Sequence, residues 1–283
     1  MAVTIIIDAG CDLTQQQAKE LNVELIPMSI HFAEQEYQSG VNLSNEDFYR
    51  KLVTATELPH TSQPTPYLFE SAYQKVKASG NEAVVLCISS ALSGTYQSAV
   101  IASDGYEDCV HIVDTRAVSV AQKIMLDYAI KLRDQGASAS EIAKALEAKK
   151  ADVCAFGAVD TLEYLIKGGR LSKAAGAVGS MLGIRPILKL QDGALTIAGK
   201  ARGAKAAITM TNKLMDDWGI DFSMPIGIGY TGNDPSVIQP FLQAENAPWE
   251  AYNLPQYQVG STVGTHTGPG LFIAAFFRKS EHT

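Results

Sequence analysis

The chain has no C-x-x-C pair, no surplus of basic residues and no long apolar run, and each absence closes off a class of function. Its four cysteines, Cys11, Cys87, Cys109 and Cys154, lack the spacing of metal ligands. Cys87, Cys109 and Cys154 lie in apolar runs and read as buried thiols. Acidic residues outnumber basic ones by 30 to 23, for a net charge of -7. That balance argues against nucleic-acid binding through a general basic surface. No apolar stretch approaches the roughly 20 residues that cross a bilayer. The start, MAVTIIIDAG, has no cationic segment and reads as a first strand, not a secretion signal. A cytoplasmic protein is expected, not integral to the membrane.

What is present is ordinary globular material: 283 residues, 46% hydrophobic and 19% charged, enough for a large core. In the first half, apolar runs alternate with helical patterns. VTIIID, VELIPMSIHF (23–32, with Pro27 at an edge or bend), EAVVLCIS and CVHIVDT read as strands. Helices are predicted over LTQQQAKEL, over 43–55 with Ser44 as N-cap, from Pro66, over 117–136 and over SASEIAKALEAKK. Such alternation predicts a parallel, doubly wound α/β domain. The second half offers shorter strands, PILKL, ALTIAG, PIGIGYTG, WEAYNLP and LFIAAFF, around the helix KAAITMTNKLMDDW. It reads as an α+β domain with a mostly antiparallel sheet. The expected domains are 1–155 and 156–283.

Four stretches carry hydroxyls, a histidine and an arginine beside small residues. In CISSALSGTYQSA, a helix starting near Thr95 leaves the N–H groups of Gly94 and Thr95 as donors at the carboxyl end of a strand. Ser93 adds a hydroxyl there, either for an anion or simply as an N-cap. LPHTSQPTP places Thr61, Ser62 and Thr65 before a helix. KGGRLS offers Arg170 and Lys173, which read alone are solvated turn residues. GTHTGPG sets His266 in a glycine-rich loop, able to reach a ligand or to serve the fold.

The parts of common catalysts are missing. ALSGT around Ser93 is not G-x-S-x-G, and neither H-E-x-x-H nor a P-loop occurs. GIGYTG (227–232) matches G-x-G-x-x-G but lies inside a strand candidate with little chain after it, so no dinucleotide is expected. No metal or cofactor is expected either.

TSQPTP, ISSALSGTYQSA, the VDT at 113–115, TLEYLIKGGRLSKAAGAVGSMLGIRPIL, DGALTIAGKARG and GTHTGPG, in this order, resemble the DegV family over essentially the whole chain. The family's turn after the first Asp carries hydroxyls. Here Ala9 and Gly10 follow Asp8, which leaves Asp8 and Asp12 as the polar residues there. The resemblance implies a fatty-acid-binding carrier, not an enzyme, with a long-chain acid such as palmitate in a tunnel between two domains. It implies that Thr61 and Ser93 hold the carboxylate with His266 nearby; Ser62, Gly94 and Thr95, polar groups beside them in sequence, are expected at the same site. It implies that Arg170 faces a fatty acid kinase, which phosphorylates the bound acid for phospholipid synthesis. Transient contact with a membrane surface fits such a carrier. Met181, Leu182, Ile184 and Phe272 are candidate tunnel residues. The runner-up is a serine esterase or thioesterase using Ser93 and His266. A sugar-phosphate-binding transferase is a third reading.

Overall fold

VTIIID becomes an inner strand because each of its central isoleucines has a core to enter. In the computed structural model, which describes residues 2–172, 183–244, 247, 249, 252 and 254–279, Ile5 and Ile7 enter one core and Ile6 the opposite one. This strand, β1 (Val3–Asp8), is followed by α1 (Gln15–Glu20), β2 (Val23–Ile26), β3 (Ser29–Phe32) and β4 (Gln35–Gln38). Next come α2 (Asn45–Thr54), β5 (His60–Ser62), α3 (Pro66–Ala78), β6 (Glu82–Cys87) and α4 (Thr95–Ile101). β7 (Val110–Asp114), α5 (Val120–Asp134) and α6 (Ala139–Lys149) complete the first half. The first sheet is parallel throughout, in the order β2-β1-β6-β7. Its inner strands are buried on both faces and therefore read as unbroken apolar runs.

The run 23–32 is two strands, not one. Pro27 has no N–H for a ladder and divides it. β2 stays in the parallel sheet, and β3 joins a small antiparallel sheet, β4-β3-β5. That third sheet had no signal of its own, because its strands are four, four and three residues long.

The second half contains β8 (Val153–Ala158), α7 (Glu163–Lys167), β9 (Ile184–Gln191), β10 (Ala194–Arg202) and α8 (Ala204–Trp218). After them run β11 (Gly227–Tyr230), α9 (Gln239–Leu242), β12 (Gln256–Gln258), α10 (Ser261–Thr267) and β13 (Phe272–Phe277). Their sheet, β10-β9-β8-β13-β11-β12, is antiparallel except for the β11–β12 pair. The molecule is thus a two-domain mixed α/β fold with one parallel and one mostly antiparallel sheet. The strand expected over 249–255 lies partly outside the described residues; the paired strand is Gln256–Gln258. GTHTGPG is not a loop, since most of it forms α10, which ends where Gly268 takes a positive φ of 68°.

One core joins the two large sheets. Ile5, Ile7, Val84 and Leu86 of the first meet Ala155, Leu190, Ala275 and Phe277 of the second, with α5 between them. GIGYTG serves this contact. A Cβ on Gly229 would lie 2.6 Å from Val120 Cγ2, so the glycine admits α5 against β11.

Candidate functional site

Beside that shared core lies a narrow cavity of about 70 Å³, taken as the space open to the centre of a water molecule. Its apolar wall comes from both halves: Met28, Ile88, Leu92 and Val118 on one side, Ala155, Leu165, Leu188, Leu190, Leu195, Val263, Leu271 and Ile273 on the other. Its polar residues are Thr61, Ser93, Ser119, Arg170, Thr262, His266 and Thr267.

Ser93 is set by the turn between β6 and α4. Asp8, at the end of β1, accepts from the N–H groups of Ile88 (2.6 Å) and Gly10 (2.8 Å) and so ties two strand ends together. The chain then bends, with the Ser93 N–H donating to the Ser89 carbonyl at 3.1 Å. Gly94 is the N-cap of α4, and the side chain of Gln63 lies where its Cβ would stand. The Thr95 N–H is not free: it donates to Ser93 Oγ at 3.3 Å, and the two hydroxyls are 2.8 Å apart. Gly94 and Thr95 therefore support Ser93 from behind and are not in the cavity wall.

Thr61 projects from β5, opposite Ile30 of β3. Its hydroxyl is 2.9 Å from His266 Nε2 on the last turn of α10. Ser62, the next residue, points away by strand alternation and hydrogen-bonds His31 Nε2 at 3.0 Å. Burial, and then the nearby charge of Arg170, push the His266 imidazole down to about 4, so it is neutral at physiological pH. His266 Nδ1 has no partner and faces Gly168. A bare buried lone pair costs less than a bare N–H, which puts the proton on Nε2, donating to Thr61. The Thr61 hydrogen is then left to point into the cavity.

Arg170, expected on a partner-facing surface, is also part of the cavity wall. It is half-buried, with Nε donating to the Leu92 carbonyl at 3.1 Å and Nη1 to the Gly168 carbonyl. Lys173, Met181 and Leu182 fall outside the described residues. Neither Ile184 nor Phe272 lines the cavity.

Two wall residues had no clear signal in the sequence. Ser119, just before α5, has φ 57° and ψ -134°, unusual for a residue with a side chain. Its hydroxyl donates to Asp12, whose other oxygen accepts from the Gly260 N–H at 2.8 Å. Asp12 thus fastens the turn after β1 to the starts of α5 and α10. Burial pushes the Asp12 carboxyl up to about 7 and that of Asp8 up to about 6. Thr262, in the first turn of α10, is the other.

The geometry does not pair a nucleophile with a base. Ser93 bonds to Thr95, His266 bonds to Thr61, and no acid orients the histidine. Among the described residues, no group of three or more His, Cys, Asp or Glu could hold a metal, and no helix is long and apolar enough to cross a membrane. All four cysteines are free and buried.

Comparison with known proteins agrees with this arrangement. A model of the DegV family, described as an uncharacterised protein, matches residues 2–279. A DegV domain-containing protein of Caldanaerobacter subterraneus subsp. tengcongensis is 30% identical over 278 residues, covering 96% of this chain and 98% of that protein. A fatty-acid-binding DegV family protein from Thermus thermophilus is 29% identical with a TM-score of 0.85, covering 98% of this chain and 100% of that one. The Fatty Acid Kinase (Fak) B3 protein of Streptococcus pneumoniae, loaded with linoleic acid, shares the fold. It is 21% identical at a TM-score of 0.84, covering 99% of this chain and 100% of the other. A match over nearly the full length, on a chain with this two-sheet core and interposed cavity, means that the protein belongs to the DegV family.

Proposed function

We propose that the cavity holds a long-chain fatty acid, tail in the apolar wall and carboxylate at Thr61, Ser93 and Arg170. The observation that carries this reading is the division of the wall: twelve apolar side chains, with Thr61, Ser93, Arg170 and His266 among the polar ones. A carboxylate leaving water needs hydrogen bonds or an opposite charge. The Thr95 N–H donates to Ser93 Oγ, and with the Thr95 hydroxyl as the second donor the Ser93 proton is free for the ligand. Thr61 is freed in the same way by His266. Arg170 has five donors, two of them held by backbone carbonyls, and presents its charge at the same place. The tail supplies most of the affinity: about 0.8 kcal/mol per buried methylene, or roughly 12 kcal/mol gross over fifteen. Several kcal/mol are lost to immobilisation.

The protein is then a carrier and not a catalyst, with two units as expected from the sequence, the second opening at β8 from Val153. A partner fatty acid kinase that phosphorylates the presented carboxylate, feeding phospholipid synthesis, fits the Streptococcus pneumoniae relative. The cytoplasm and brief contact with a membrane surface fit the same role. The esterase reading finds no support in the bonding of Ser93 and His266.

Native mass spectrometry of protein purified from bacteria tests the binding; an adduct with the mass of a long-chain acid is expected. Only empty protein across lipid-supplemented preparations would overturn the reading. Arg170→Ala should weaken palmitate binding at least tenfold, since a hydrogen bond to a charged group contributes about 1.5–3 kcal/mol. An unchanged Kd would return Arg170 to a partner-facing role.

A further inference from the structure

The head-group site accounts for the hydroxyls of Thr61 and Ser93 but not for a second pair farther along the wall. Thr262 and Ser119 both line the cavity. Thr262 is 4% exposed, and its Oγ1 has no hydrogen-bond partner. The other threonines of α10 do not share this state. Thr265 donates to the Ser261 carbonyl at 2.8 Å and Thr267 to the Val263 carbonyl at 3.1 Å, each four residues back. Thr262 sits in the first turn, where no helical carbonyl lies four residues back. A buried hydroxyl without a partner costs about 1–3 kcal/mol. Valine would fill the same volume without that cost.

Ser119 carries a conformational cost of its own. Its φ of 57° is a conformation that glycine takes more easily. Its hydroxyl donates to Asp12, which leaves the oxygen able to accept one more bond. Asp12 reaches from Ser119 to the Gly260 N–H, so Ser119 lies close to the residues that begin α10, Thr262 among them. Thr262 is four residues before His266 on the same helix face, about 6 Å along the axis.

We propose that Thr262 and Ser119 form a second polar station in the cavity, and that the preferred ligand is a long-chain acid carrying a hydroxyl within a few carbons of its carboxyl group. The proposal rests on the fatty-acid reading above and narrows its substrate class. The ligand hydroxyl donates to Ser119 Oγ and accepts from Thr262 Oγ1, giving each group the partner it lacks. The terminal part of the chain meets only apolar wall.

The test is a binding titration of hexadecanoic acid and of its 2-hydroxy, 3-hydroxy, 5-hydroxy and 16-hydroxy derivatives. The proteins are the natural chain, Thr262→Val and Thr262→Ser. For at least one of the three near-carboxyl derivatives, the natural chain should bind about fivefold or more tighter than it binds the plain acid. Thr262→Val should abolish that gain while holding the plain acid at least as well, and Thr262→Ser should keep it. The 16-hydroxy derivative should bind more weakly than the plain acid. Tight binding of the plain acid with no gain from any near-carboxyl hydroxyl overturns this inference and leaves the fatty-acid reading standing. Loss of the plain acid from Thr262→Val also overturns it, by making the residue a packing element. Failure of every acid on the natural chain overturns both.

Discussion

On the proposed reading, His266 would serve a charged ligand by remaining uncharged. Buried and near Arg170, its protonated form is disfavoured, and the neutral ring orients Thr61. The folded value, about 4, lies below the unfolded one. The native state therefore binds fewer protons between these values, and its stability falls as pH drops through that window. Asp8 and Asp12, raised by burial, act with the opposite sign over part of the same range. Comparison with His266→Gln isolates the histidine. The stability advantage of the natural chain over the variant should shrink by about 3 kcal/mol between pH 7 and pH 4, read by urea unfolding. At Ser93 the effect should fall on the ligand. Ser93→Ala should weaken palmitate binding about tenfold with thermal stability nearly unchanged; an unaltered Kd removes Ser93 from the site.

At the scale of elements, α10 is the piece that assembles the wall, and a glycine decides how near it comes. A Cβ on Gly264 would meet Phe48 Cε1 and Tyr49 Oη, both at 2.7 Å. Both rings are buried in the small core under α2, and Tyr49 donates to the Val259 carbonyl at 2.9 Å. Gly264→Ala gains about 0.5–1 kcal/mol of helix propensity. The overpacking costs about 1–3 kcal/mol and should win, because neither ring has free space to enter. Net destabilisation of roughly 1–2 kcal/mol in denaturant unfolding is the expected result, together with weaker lipid binding as the Thr262 to His266 face shifts. The small sheet β4-β3-β5 has a similar role, since it presents Thr61 to that helix.

At the scale of the whole molecule the two halves share one core, and the proposed ligand would couple them further. On the proposed reading, an acid filling the cavity would touch residues from Met28 to Ile273 and would bind only when both halves are folded and together. Palmitate at a hundred times its Kd should add about 2.7 kcal/mol. For a chain of this size that is a rise of roughly 5–10 °C in Tm, and a sugar phosphate should give none. A rise with the phosphate in place of the acid would reverse the assignment.

Local order was legible in the residues. Two-sided apolar runs mark the parallel strands, Ser44 and Pro66 mark helix starts, and TSQP, LSGT and GTHT flag the polar groups near the head of the cavity. The distinction between Ser62, Gly94 and Thr95 on one hand and Thr61 and Ser93 on the other was not legible. It depends on strand phase and on Gln63 crossing the helix start. Nor was the place of Arg170, whose side chain is directed by carbonyls seventy-eight and two residues away. His266 looked like a loop residue because glycines and threonines form weak helices alone; packing against α2 and β3 makes the helix. Sequence alone determined the strands of the parallel sheet and the capped helices, since hydrophobic period and caps are local. Only the tertiary structure decided which hydroxyls share a cavity, because that follows from long-range packing of two sheets around α5.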